Sequence, residues 1–177
     1  MDWSPDGRYI VYYEDRPSSG YDLWVLPMFG DRKPTPFLQT EFNELQGQFS
    51  PNGRWMAYSS NESGRFEVYV QSFPAAGGKW QISNNGGTQA RWRRDGKELF
   101  YLASDAKVMS VEVRQDETFQ AGVPHELFQM RPGCCIGMGT DEFVVTTDGQ
   151  RFLAVNVLTQ RPSPVVVVLN WMFALKK

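Results

Sequence analysis

Apolar and polar residues alternate in short stretches along most of this chain, and clusters of Gly, Pro, Ser, Asn and Asp separate the stretches. Period-two alternation places one set of side chains on one face of a pleated strand, and the separating residues are those that turns favour. In the clearest segment, Gln46-Gly47-Gln48-Phe49 reads as a short inner strand. The turn Ser50-Pro51-Asn52-Gly53 and a strand over Trp55-Met56-Ala57-Tyr58-Ser59 follow. The turn reads as type I: Ser leads, Pro presets φ in second place, Asn takes the third and Gly the fourth. A polar loop from Asn61 to Arg65 leads into the alternating Phe66-Glu67-Val68-Tyr69-Val70-Gln71-Ser72-Phe73, and Lys79 to Ile82 makes a short edge-like strand. Four strands and tight turns form one antiparallel sheet.

The phrase around this turn occurs four times. Trp3-Ser4-Pro5-Asp6-Gly7-Arg8-Tyr9-Ile10-Val11-Tyr12 returns as Phe49 to Tyr58 and as Trp92-Arg93-Arg94-Asp95-Gly96-Lys97-Glu98-Leu99-Phe100-Tyr101, with a worn copy from Val145 to Ala154. The turn glycines are Gly7, Gly53, Gly96 and Gly149, at intervals of 46, 43 and 53 residues. Strand-rich repeats at that interval mark propeller blades. The predicted fold class is therefore all-β: a β-propeller of four-stranded antiparallel blades, about four in number, spanning approximately 1–40, 41–83, 84–130 and 131–177. The first blade is expected to contain strands at Tyr9–Tyr13, Tyr21–Leu26 and, weakly, Pro36–Leu38. The third has Glu98–Leu102, Lys107–Val113 and His125–Phe128, and the fourth Glu142–Thr146, Arg151–Val155 and Val165–Trp171. Trp3, Phe49, Trp92 and Val145 hold equivalent places, and each is expected to pack between neighbouring blades.

Closed propellers usually carry four to eight blades. Here the first blade is expected to lack its opening residues and the last its outer strand. Either the fragment closes as a tight ring, or it stays an open arc whose end faces need covering. The expectation is an arc, half of a larger propeller, completed by self-association.

Bulk properties add limits. A length of 177 residues is one domain's worth of chain. The formal charge of −2 gives no reason to expect nucleic acid or an anionic membrane as partner. Met1-Asp2-Trp3-Ser4-Pro5 opens inside a repeat, without the basic and apolar stretches of a secretory signal, which predicts a piece of something longer. The run Val165 to Leu169, continued after Asn170 by Trp171 to Leu175, falls short of the ~20 apolar residues a membrane helix needs. Its four consecutive valines favour a buried strand, and no direct membrane insertion of this segment is expected.

Residues with chemical potential are few. Cys134 and Cys135 are adjacent, so bridging them would strain the peptide between them, and they read as two thiols in a loop or core. A metal site would want more ligands, and the one histidine is His125; no metal and no cofactor are expected. A Ser-His-Asp triad would have to use His125, but the chain has no Gly-x-Ser-x-Gly elbow, and His125 reads as structural. Asp6, Asp95 and Asp148 lie in the repeated turns, where a carboxylate caps backbone N–H groups. At blade spacing they do not converge on a calcium ion, and Asp22 and Asp105 do not change this. The Gly-Met-Gly within Gly133 to Gly139 lacks the context of a phosphate loop and reads as an ordinary loop. No catalytic residue is assigned.

Loops before each inner strand and between second and third strands share one rim. That rim would carry Glu14, Asp15, Arg16, Glu41, Asn43, Glu44, Asn61, Glu62, Arg65, Asn84, Asn85 and Gln89, a polar and mostly acidic set, and these are the candidate binding residues.

The Ser-Pro-(Asp/Asn)-Gly and Asp-Gly phrases resemble the TolB-like, WD-related propeller repeat over essentially the whole chain. The stretch Gly86 to Tyr101 resembles a late repeat in the propellers that form the C-terminal sensor half of some bacterial serine/threonine protein kinases, and Val167-Val168-Leu169-Asn170-Trp171 with Leu175-Lys176-Lys177 resembles their terminal segment. The resemblance implies a non-catalytic ligand- or protein-binding module of a larger bacterial signalling protein, outside the cytoplasmic membrane, with kinase and membrane segment elsewhere. The chain itself shows no Gly-rich loop followed by a strand lysine, no His-Arg-Asp and no Asp-Phe-Gly. The alternative is the propeller portion of a hydrolase or peptidase, recognising or gating substrate; a third reading is a purely structural, self-associating fragment.

Overall fold

The computed structural model describes residues 1–75, 77–115, 118–130 and 143–155, with the backbone of 166–169. Cys134, Cys135, the Gly133 to Gly139 loop and everything after Leu169 lie outside the described residues. The described strands form four antiparallel sheets, each built from neighbours in sequence. The first comprises β1 (Asp2–Trp3), β2 (Tyr9–Arg16), β3 (Gly20–Pro27) and β4 (Thr35–Leu38). The second comprises β5 (Glu44–Phe49), β6 (Trp55–Ser60), β7 (Glu67–Ser72) and β8 (Lys79–Gln81). In the third, β9 (Gly87–Trp92), β10 (Glu98–Ala103) and β11 (Lys107–Gln115) are joined by β12 (Phe119–Ala121) and β13 (His125–Gln129), which share the outer edge of β11. The fourth comprises β14 (Phe143–Val145), β15 (Arg151–Ala154) and β16 (Val166–Leu169). The architecture is an all-β propeller.

The inner strand of the first blade is short: Asp2 and Trp3 pair with Val11 and Ile10, where β5 and β9 have six residues each. One detail departs from expectation, β12. It lies antiparallel on the end of β11, with Val113 paired to Ala121, and Phe119 is buried between blades.

The repeated turn behaves as its residues dictate. Gly53 N donates to the Ser50 carbonyl at 2.8 Å, and Gly53 sits at φ +68°, which costs glycine nothing. The Ser50 hydroxyl accepts from Trp55 N at 3.0 Å and donates to Asn52 Oδ1, which in turn accepts from Arg54 N at 3.0 Å. Asp6 does the same with Ser4 and Arg8 N, and Asp148 with Thr146 and Gln150 N. In the third copy Arg93 replaces the Ser, and its Nε grips Asp95 Oδ1 at 2.8 Å. These bonds hold the Asp6 and Asp148 carboxyls below the usual carboxylate range, the bond from the turn hydroxyl contributing most. The repeated Asp is thus a turn cap.

The core lies between blades. Each blade has a forward face that packs on the next blade and a backward face that packs on the one before. Val11, Leu23 and Val25 go forward onto Phe49, Met56, Tyr58 and Tyr69. Trp55, Ala57, Val68 and Val70 go forward onto Leu99, Tyr101, Val111 and Val113. Phe100, Leu102 and Val108 go forward onto Phe143, Phe152 and Ala154. Gly47 makes the first seam possible: a Cβ there would stand 2.8 Å from Val11 Cγ2 and 3.3 Å from Leu23 Cδ2. Phe49, Trp92 and Val145 pack in these seams as expected. Trp3 does not. It is 57 % exposed, because its side chain lies on the backward face of the first blade, and among the described residues no blade covers that face.

Candidate functional site

The strands run between two rims. One carries the Ser-Pro-Asp-Gly turns; the other carries the β2–β3, β4–β5, β6–β7 and β8–β9 connections, where the candidate residues were placed. Eleven of the twelve lie on or beside those connections. Gln89 does not: it is an interior residue of β9, fully buried, at φ +57° in a bulged part of the strand. Its backbone N donates 3.0 Å to Gln46 Oε1, which also accepts from Ser59 Oγ. Gln89 is therefore an inter-blade residue near the propeller axis.

Several rim residues clasp neighbouring loops together. Asn43 Oδ1 accepts from Tyr21 N at 3.0 Å, and Asn43 N donates to Asn61 Oδ1 at 2.8 Å, so one chain of amides crosses three loops. Arg65 donates to Glu67 Oε1 at 2.9 Å and to the Asn84 carbonyl at 2.8 Å. Asn85 offers its carbonyl to Ser104 Oγ, and Glu62 pairs with Lys79. Arg16 pairs with Glu14 at 2.9 Å and lays its guanidinium 4.3 Å from the Trp24 ring. Asp15 and Glu41 are exposed.

Glu44 differs from the rest. It is 1 % exposed; Oε1 accepts from Thr40 Oγ1 at 2.5 Å, and Oε2 is buried without a hydrogen-bond partner. Burial pushes its carboxyl up to about 7; the Thr40 hydroxyl pulls the other way, and Asp22 and Glu62 add to the rise. Asp22, which the sequence reading set aside, is fully buried. Its Oδ2 accepts from Ser19 and Gln39, and its Oδ1 has no partner. Glu67 holds the corresponding place in the second blade, fully engaged by Arg65, Ser83 and Gly86 N. Sequence reasoning missed Asp22 and Glu67. Superposing the repeats was the available signal, since each acid immediately precedes an inward aliphatic residue, Leu23 or Val68. Chemically, this rim offers hydrogen-bond acceptors and negative charge. Among the described residues, no three His, Cys, Asp or Glu groups are placed to hold a metal ion.

The turn rim carries a separate cleft of about 690 Å³ against the third blade, lined in part by Arg93, Lys97, Glu98, Glu112, Arg114 and His125. Positive and negative groups alternate there, and Arg93 is already engaged by Asp95 and Glu98. The His125 ring is exposed, and no hydrogen bond or ion pair engages it among the described residues.

No protein-family model and no curated protein matches the chain. Solved structures do. A protein assigned as TolB from Agrobacterium tumefaciens superposes with a TM-score of 0.60 at 19 % identity, over 72 % of this chain and 48 % of its own. Hydrazine synthase of Kuenenia stuttgartiensis gives 0.63 at 15 % identity, over 95 % of this chain and 57 % of its own. A puromycin-hydrolysing peptidase of Mycobacterium tuberculosis gives 0.61 at 15 % identity, over 86 % of this chain and 27 % of its own. This chain thus spans about half the length of the first two. At these identities the likeness concerns the fold alone: the chain has a TolB-like β-propeller fold.

Proposed function

We propose that this chain is a non-catalytic ligand- or protein-binding propeller module, the sensing or interaction part of a larger bacterial signalling protein, working outside the cytoplasmic membrane. One observation carries the reading. The rim of the first two blades buries two carboxylates, Asp22 and Glu44, each with an oxygen that has no partner, inside loops already fixed by amide clasps. Such a rim is preorganised to accept hydrogen bonds from a cationic or donor-rich group. The ligand class is accordingly an amine, a guanidinium or a basic peptide side chain.

A second reading has its own support. The peptidase likeness shows a stretch of this fold occupying 27 % of a hydrolase. On that reading the rim recognises substrate for a separate catalytic domain. A propeller fold hosts many functions, so the fold does not choose between the two.

The test is a thermal-shift titration with spermidine, arginine amide and a basic peptide, with acetate and glucuronate as anionic controls. The cationic probes raise Tm, and Glu44→Gln and Asp22→Asn each abolish the rise. Equal shifts in both variants and the parent protein sink the rim assignment. Esterase or peptidase turnover that disappears in His125→Ala overturns the non-catalytic reading.

A further inference from the structure

The internal seams define what a propeller face in this chain requires, and both end faces of the arc satisfy that requirement while no blade covers them among the described residues. Consider first the backward face of the first blade. Met56 and Leu99 hold the same repeat position as Ile10 and are fully buried. Tyr58 and Tyr101, equivalent to Tyr12, are 1 % and 4 % exposed. Tyr69 and Val111, in the places of Trp24 and Leu26, are buried too. In the first blade Ile10, Tyr12, Trp24 and Leu26 are only half-buried, and Trp3 is 57 % exposed where Phe49 is 5 % exposed. The face has the composition of a seam and lacks its other half.

The forward face of the last blade shows the complement. Val11, Ala57 and Phe100 each point forward and are fully buried by the following blade. Leu153 holds their place and is 41 % exposed, and its cross-strand partner Val144 is 45 % exposed. Seven large apolar residues are exposed among the described residues, and six belong to the end blades of the arc: Met1, Trp3 and, in the β3–β4 connection, Phe29 at one end, Val144, Leu153 and Val155 at the other. Apolar exposure concentrated in that way marks an interface.

We infer that the two end faces recognise each other between copies: the forward face of the last blade of one copy packs on the backward face of the first blade of a second copy, and the reverse contact closes the ring. Three internal seams of the same polarity are the template for this contact. The count agrees, because the four described blades of each copy give eight in the ring, within the range of closed propellers. A head-to-tail contact that closes after two copies forms a two-fold symmetric dimer and leaves no open face. The inference is independent of the ligand proposed for the rim.

Sedimentation equilibrium of the full chain tests it, with Trp3→Glu, Leu153→Glu and, as a surface control, Val123→Glu. The parent protein and the control sediment at twice the 20.2 kDa chain mass. Each end-face variant weakens the dimer by about a hundredfold or more, the loss typical of an interface anchor, while its circular dichroism stays native. Mixing the two end-face variants restores a dimer, because one of its two seams is then wild type at both faces. A monomeric parent protein, open-ended polymers, a dimer unaffected by Trp3→Glu, or failure of the mixture to re-form a dimer overturns the inference.

Discussion

Replacing Glu44 by Gln should stabilise this protein at neutral pH and remove part of its pH dependence. Gln keeps the acceptor that Thr40 uses and cannot ionise. In the unfolded chain the carboxyl titrates at its ordinary 4.5, and in the fold burial raises it to about 7. The folded state therefore holds a proton that the unfolded state has already released between those values. The stabilisation from that proton is complete below pH 4.5, declines as pH rises, and is gone above about 7. At about 1.4 kcal/mol per pH unit, the window amounts to about 3 kcal/mol. The assay is urea unfolding followed by tryptophan fluorescence at pH 5, 6, 7 and 8, at one protein concentration throughout. The difference between Glu44→Gln and the parent should be no more than about 1 kcal/mol at pH 5 and should grow to about 3 kcal/mol in favour of Gln at pH 8. Asp6 and Asp148, whose carboxyls are held low, contribute stability that is present above their ordinary value and lost on acidification. They occur in both proteins, so they cancel in the difference. Curves that stay parallel from pH 5 to pH 8 would refute the assignment of a buried, proton-holding Glu44.

Two further substitutions probe the architecture. Gly47→Ala places a methyl group against Val11 and Leu23 at the first seam and should cost about 1–3 kcal/mol by overpacking, read as a lower urea midpoint with unchanged m. Ser50→Ala leaves the buried Trp55 N without its acceptor and should cost about 1–3 kcal/mol, whereas Ser4→Ala, in the half-exposed copy of the same turn, should cost less in the same melts.

What the sequence made legible is what depends on local chemistry. The turn phrase specifies φ at Gly, a hydroxyl and a carboxylate at fixed offsets, and each copy folds the same way wherever it lies. Period-two alternation is clearest where a strand has one covered face, as in Arg151–Ala154, while Trp55–Ser60, packed in seams on both faces, is buried throughout and was located by the turn before it. What stayed hidden depends on neighbours. Trp3 is the same residue type as Trp92 in the same phrase, yet one is exposed and the other packed, because the difference lies in the adjacent blade. Gln89 looked like a loop residue because Gly86, Gly87 and Thr88 precede it; it is the left-handed bulge of β9 that carries it into the interior. β12 was invisible because three residues cannot show a period, and its existence follows from the length of β11.

The repeats also indicate where function can reside. Residues common to the copies are consumed by turn closure and seam packing, so a site has to be built from positions where the copies disagree. Glu44 lies five residues before Phe49, and the matching residue before Trp92 is Gly87. Asp22 and Glu67 precede Leu23 and Val68, but Lys107 precedes Val108, and its ammonium pairs with Asp105 and Glu126. Both acidic positions are therefore lost in the third blade, and the sign of one is reversed. The buried negative charge of the rim belongs to the first two blades and is no property of the fold. Turn and seam residues impose no acid at either place, and burying Glu44 costs stability at neutral pH. A carboxylate kept in the fold at that cost, with one oxygen unpartnered, is what a site for a donor-bearing ligand requires.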